Sequence, residues 1–106
     1  MAEIKFSPDA LHDLKEIKAY ITDELCSPSS AAKTVGQIMN RIRQLSEFPA
    51  LGAPLSSVIH MEVSYRFLVC GHYTAFYKVD DGQVHIIRIL YNRRNFMQIL
   101  FGKDSP

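Results

Sequence analysis

The stretch Val84–Phe101, V-H-I-I-R-I-L-Y-N-R-R-N-F-M-Q-I-L-F, decides the fold. It opens as a β-branched apolar run entered through Asp80-Asp81-Gly82, the composition of a strand buried for much of its length. It ends in Asn92-Arg93-Arg94-Asn95, so two guanidinium groups stand where the strand stops. Phe96, Met97, Ile99, Leu100 and Phe101 follow as a short apolar segment, predicted to form a helical turn or two. An arginine pair at the exit of a core strand suits an anion or an acidic partner. The competing reading is a solvated turn closed by an apolar clip.

Working back from this strand, Tyr65–Cys70, Gly71-His72 and Tyr73–Val79 predict a hairpin, and Asp80-Asp81-Gly82-Gln83 predicts the next. Val58–Val63 is a weaker strand candidate. With two-residue turns, Arg66 and Arg88 project from one sheet face with Leu68, Tyr73, Ala75, Tyr77 and Ile86. The opposite face then carries Phe67, Thr74, Phe76, Lys78, His85, Ile87, Ile89 and Tyr91. Both faces are substantially apolar, so each needs cover: the helices on one, the closing segment or a partner on the other.

The first half supplies those helices. Glu3–Phe6 reads as a short strand. Ser7-Pro8-Asp9 is a helix start, with Ser7 as cap, Pro8 at the first helical position and Asp9 at the positive end of the dipole. Leu11, Leu14, Ile17, Ile21 and Leu25, with Tyr20 beside them, form the predicted apolar stripe. Asp13, Lys15, Glu16 and Lys18 are assigned to solvent. Cys26-Ser27-Pro28-Ser29-Ser30 breaks this helix and starts a second, which carries Val35, Ile38, Met39, Ile42 and Leu45 inward. Phe48-Pro49 stops it, and Pro49–Pro54 is read as a loop. So short a link makes the helices an antiparallel hairpin. The predicted fold over residues 1–106 is one α+β domain: an N-terminal strand, a helical hairpin on a mostly antiparallel sheet, and a short C-terminal helical segment.

Composition narrows the function. The chain has 106 residues, 47% apolar and 22% charged, with a net charge of +1. That charge argues against binding nucleic acid chiefly through phosphates, unless a local cluster does it. No apolar run is long enough to cross a bilayer, and the N-terminus lacks a signal-peptide pattern, so no membrane association and a cytoplasmic location are expected. Cys26 and Cys70 have neither zinc nor redox spacing and are expected to be buried, reduced thiols. His12, His60, His72 and His85 show no metal-ligand spacing, and there is no phosphate-binding glycine loop or nucleophile elbow. Neither metal nor cofactor is expected.

What remains is a cationic set, Arg66, Lys78, Arg88, Arg93 and Arg94, interleaved with Tyr65, Tyr73, Tyr77 and Tyr91. Cutting RNA through its 2′-hydroxyl needs a base, an acid and cations on the phosphorane. The cations are present, and Tyr91, His85 and Glu62 are the proton-transfer candidates. The structural alternative is that Arg66 and Arg88 pair with carboxylates from the helices and that the tyrosines pack.

The pieces Ile4-Lys5-Phe6-Ser7-Pro8, Ala10, Leu14, Ile17–Ile21, Phe48-Pro49-x-x-Gly52-x-Pro54, Tyr65-Arg66, Tyr73-x-x-Phe76-Tyr77 and Ile86-x-Arg88-Ile89-Leu90-Tyr91-x-Arg93-Arg94 resemble, in order and spacing, the RelE/ParE toxin superfamily of type II toxin–antitoxin modules. The resemblance implies a small toxin that arrests growth, with a possible part in plasmid stabilisation, and is neutralised by a cognate antitoxin. It implies homo- or hetero-oligomers as well. RelE-like members cut mRNA in the ribosomal A site; ParE-like members inhibit DNA gyrase. On the RelE-like branch the resemblance makes Arg66, Arg94 and Tyr91 catalytic. On either branch Arg93, Arg94, Lys78 and Arg88 would bind partner or phosphate. Thr74 stands where RelE-like enzymes tend to carry a phosphate-binding arginine, and Phe96–Phe101 contains neither tyrosine nor histidine. Tyr91 stands where many relatives have histidine. These departures and the long hairpin favour the ParE-like branch.

Overall fold

The computed structural model describes residues 1–102. Strand β1 (Glu3–Phe6) leads into α1 (Pro8–Asp23), and α2 (Pro28–Arg43) returns along it. There follow β2 (Ala53–Pro54), β3 (Arg66–Cys70), β4 (Tyr73–Asp80), β5 (Gln83–Tyr91) and α3 (Phe96–Phe101). The sheet order is β1-β5-β4-β3-β2, with β1 parallel to β5 and every other pair antiparallel. Both hairpins turn in two residues. Gly71 opens the first at φ 66°, and Asp81 and Gly82 are both left-handed (52° and 76°), as the strand twist favours.

Two apolar layers hold the sheet. On one face Ile17, Ile21, Ile38 and Ile42 of the hairpin meet Leu68, Ala75, Tyr77 and Ile86. On the other, Phe76 and Leu90 lie beneath Met97 of α3, with Leu55 and Ile59 completing the layer. Phe96 stacks on Phe76 with ring centres 5.5 Å apart, and Phe101 meets Tyr65 edge-on at 5.4 Å. The closing segment is therefore the cover that the second face required.

The strand β5 departs from simple alternation. Tyr77 pairs with Ile86 and Phe76 with Arg88, which leaves Ile87 as an extra residue. This bulge inverts the faces beyond it. Ile89 therefore joins the helix-side core and Tyr91 pairs with Tyr73, both opposite to the predicted face. Arg88 is likewise out of predicted register, yet its guanidinium still reaches α1.

The second correction is Asp13, predicted on the solvent side and in fact only 6% exposed. β1 ends at Phe6 opposite Ile86, so the outer edge of β5 beyond that point has no strand beside it. The start of α1 takes over. Ser7 Oγ accepts from Ala10 N at 2.9 Å, capping the helix, and donates to the Ile87 carbonyl at 2.7 Å. Asp13 accepts from Arg88 Nε and Nη2, both at 2.8 Å, and from Ile89 N at 2.9 Å. The stripe that faces the sheet is Ala10, Asp13, Ile17 and Ile21, while Leu11, Tyr20 and Leu25 are exposed.

Val58–Val63 is not a strand. A 3-10 turn at Leu55–Ser57 precedes it, and its alternation buries Ile59 and half-buries Met61 and Val63 against the α3 layer without strand pairing. Within the predicted Pro49–Pro54 loop, Ala53 and Pro54 pair with Phe67 and Arg66 and close part of the β3 edge. Tyr77 Oη anchors this loop by donating to the Pro49 carbonyl at 2.7 Å and accepting from Gly52 N at 3.0 Å. A Cβ at position 52 would fall 2.4 Å from the Phe67 carbonyl oxygen, so only glycine fits. Of the cysteines, Cys70 is buried as expected, but Cys26 is exposed; both are free.

Asp13→Ala is expected to cost about 3 kcal/mol, because it leaves a half-buried guanidinium and a buried backbone N–H without partners. A urea midpoint lowered by about 2 M is the readout. Gly52→Ala is expected to cost about 2 kcal/mol through overpacking against β3, measured by the same unfolding curve.

Candidate functional site

A groove of about 1040 Å³ lies between the C-terminal half of α1, the start of α2 and the sheet end formed by the β3–β4 turn and the exit of β5. Ile17, Tyr20 and Leu25 line its helical wall, and Tyr73 and Tyr91 its sheet wall. The Asp13–Arg88 pair lies between these walls, and Arg94 lines the groove just beyond β5. α1 is pinned to β5 at its first two turns and packs its far half on the sheet through Ile17 and Ile21, while Tyr20 and Leu25 stay exposed at the rim of the groove.

The electrostatics follow from burial and pairing. The bond to Asp13 holds the Arg88 guanidinium protonated above its ordinary value, and the charges of Asp9 and Glu16 act in the same sense. Burial pushes the Tyr73 hydroxyl up, and the phenols of Tyr91 and Tyr20 add to this. Burial also pushes the Cys70 thiol up to about 11, against smaller opposing effects of Arg41 and the Ala75 backbone.

The structure divides the predicted site residues between the two sheet faces. Tyr91 and Arg94 come together at the groove, with Arg94 N donating to the Tyr91 carbonyl at 3.0 Å. Arg88 lines the same groove, engaged by Asp13, so it pairs with a helix carboxylate as the structural alternative required. Arg93 turns the other way, its guanidinium carbon 5.9 Å from the Phe67 ring centre. Lys78 is on that side too, with Nζ 4.3 Å above the Tyr65 ring. Arg66 lies four residues along β4 register from the Tyr73 end, roughly 13 Å away. It donates to the Gly52 carbonyl at 2.6 and 3.2 Å and to that of Ala50 at 3.2 Å, so its partners are backbone oxygens and not a helix carboxylate. His85 sits near the opposite end of β5, level with Lys5 and Lys78, and Glu62 is exposed on the loop before β3.

Sequence reasoning missed the part α1 plays in the groove. The signal was there in Ala10, Asp13, Ile17 and Ile21, which keep helical spacing as well as the leucines do. The small Ala10 marks close approach to the sheet, and the carboxylate in that series marks a buried partner. Among the described residues no three His, Cys, Asp or Glu side chains gather to hold a metal, and no helix is long and apolar enough to cross a membrane.

The molecule is thus a helical hairpin on a five-stranded sheet, with a groove at the end of the hairpin where α1 turns into α2. Residues 4–96 match the family described as ParE toxin of the type II toxin–antitoxin system parDE, and the chain belongs to that family. Among solved structures it resembles a chromosomal ParDE toxin–antitoxin system from P. aeruginosa, with 26% identity and a TM-score of 0.72 over 86% of this chain and 96% of that one. The toxin–antitoxin complex RelBE2 from Mycobacterium tuberculosis shares the fold at 22% identity and a TM-score of 0.57, covering 85% of this chain and 96% of that one. The YoeB dimer from Staphylococcus aureus does so at 24% identity and a TM-score of 0.57, covering 85% and 95%. A comparison with curated protein sequences returns no match.

The two thiols should separate cleanly. At pH 8 a thiol-labelling reagent is expected to modify Cys26 alone, since a pKa near 11 leaves about 0.1% of Cys70 as thiolate and burial shields it. Mass spectrometry before and after unfolding in guanidinium checks this.

Proposed function

We propose that this toxin arrests growth by binding and inhibiting DNA gyrase, that it cuts no RNA, and that a cognate antitoxin neutralises it by occupying the groove. The observation that carries the reading is the dispersal of the groups an RNase would need to converge. Arg66 is held by the loop at residues 50–52, Lys78 and Arg93 lie on the α3 side, and His85 is six residues from Tyr91 along β5. General acid–base catalysis requires such groups within hydrogen-bond reach of one phosphate. Family membership and the higher TM-score against the ParDE system point the same way.

The antitoxin segment that fits the groove is amphipathic, with an apolar face for Ile17 and Leu25 and an acidic side chain for Arg94. Arg93 and Lys78, on the other side of the sheet, are left to contact the target or an extended part of the antitoxin. Arg88 acts by fixing the groove between α1 and β5.

Purified toxin is expected to block supercoiling of relaxed plasmid by gyrase. A pulse of toxin in cells without antitoxin is expected to lower DNA synthesis before protein synthesis. Cuts inside the coding regions of ribosome-bound mRNA, with protein synthesis falling first, would overturn the gyrase reading in favour of a RelE-like RNase. For the antitoxin, Arg94→Glu is expected to weaken binding about tenfold and Arg93→Glu much less, as measured by calorimetry.

A further inference from the structure

One end of the groove holds three phenols from three elements: Tyr20 of α1, Tyr73 of β4 and Tyr91 of β5. Tyr73 and Tyr91 meet edge-on, with ring centres 5.5 Å apart and planes at 82°. Tyr20 is near enough to act electrostatically on Tyr73. Tyr20 and Tyr91 are 56% and 55% exposed, so neither ring is used up in the core behind it. One helical turn before Tyr20, Glu16 lines the same wall. Asp13 is neutralised by Arg88, so the remaining carboxylate of this wall is Glu16, to which His12 is bonded at 2.9 Å.

Phenol rings present a negative face, and a planar guanidinium stacks on such rings while keeping its donors for a carboxylate. An acidic side chain entering here would be repelled by Glu16. A purely apolar one would shield Glu16 from water and bring no counter-charge in return. We propose that this end of the groove is a cation site that receives an arginine side chain of the antitoxin, its guanidinium lying against Tyr20 and Tyr91 with Glu16 as counter-charge. The inference rests on the reading that the antitoxin occupies the groove. Arg94, on the sheet-exit side, then meets an acidic residue elsewhere on the same segment, so the two charges fix the direction in which the segment lies.

The test is an NMR titration of the full chain with N-ethylguanidinium, with N-ethylurea as the neutral isostere. Saturable shifts of the Tyr20, Tyr73 and Tyr91 ring signals are expected with the cation, several-fold larger than with the urea. They are expected to vanish in Tyr20→Leu and to persist in Tyr20→Phe, because the ring face and not the hydroxyl makes the site. Equal shifts with both probes would overturn the proposal. In the complex, Tyr20→Leu is expected to lower antitoxin affinity about tenfold; unchanged affinity would overturn the assignment of the occupant. Failure of the unmodified chain to bind its antitoxin would instead overturn the toxin–antitoxin reading, and the guanidinium titration would still decide the cation site.

Discussion

A single carboxylate, Asp13, joins the two halves of this molecule. The strand β1 is too short to cover β5, and the uncovered part of β5 carries a bulge whose backbone groups need partners. Ser7 and Asp13, six residues apart at the start of α1, meet those groups at Ile87 and Ile89. Arg88 closes the arrangement by spending two donors on the same carboxylate. The charge is acceptable in the core because its two oxygens accept three hydrogen bonds, two of them from a cation. With α1 fixed at its first two turns and packed on the sheet through Ile17 and Ile21, Tyr20 and Leu25 are left exposed to wall the groove.

The bulge has a second consequence. Without the extra residue, Tyr91 would lie on the α3 side with Phe67 and Phe76, and the groove would lose the outer of its two sheet-wall tyrosines. The inversion places Tyr91 beside Tyr73 and directs Leu90 into the α3 layer instead. One inserted residue thus supplies both the backbone groups that Ser7 and Asp13 hold and the aromatic wall of the groove. Beyond it, Asn92 and Asn95 take left-handed conformations (φ 57° and 55°), and the chain turns sharply enough to send Arg93 and Arg94 to different sides.

The fold was legible in the sequence where periodicity and turn chemistry agreed. Ser7-Pro8, Asp81-Gly82 and the β-branched run of β5 each specify local structure without help from the rest of the chain. What was not legible depends on contacts distant in sequence. Asp13 and Ile89 are 76 positions apart, and nothing around Asp13 announces its partner. The bulge is invisible to an alternating pattern in which nearly every residue of β5 is apolar, because a register slip there exposes no obvious error. Val58–Val63 failed for the converse reason: its alternation is real, but one-sided burial of a loop produces it as readily as a strand does.

In the sequence Arg66, Lys78, Arg88, Arg93 and Arg94 form one cationic set, because they sit on neighbouring strands or at their ends. Sequence proximity to a sheet does not say which face a side chain uses, nor what has already engaged it. Arg66 is occupied by carbonyls of the 50–52 loop, and Arg88 by Asp13, so their charges serve geometry first. Lys78 and Arg93 rest over aromatic rings on the side away from the groove. Arg94 alone among the five stands at the groove without a carboxylate or an aromatic ring paired to it among the described residues. A surface that distributes its cations in this way is organised to present different chemistry on its two faces. It is also the observation behind our proposal that the protein acts by being bound and not by bringing several charges onto a single phosphate.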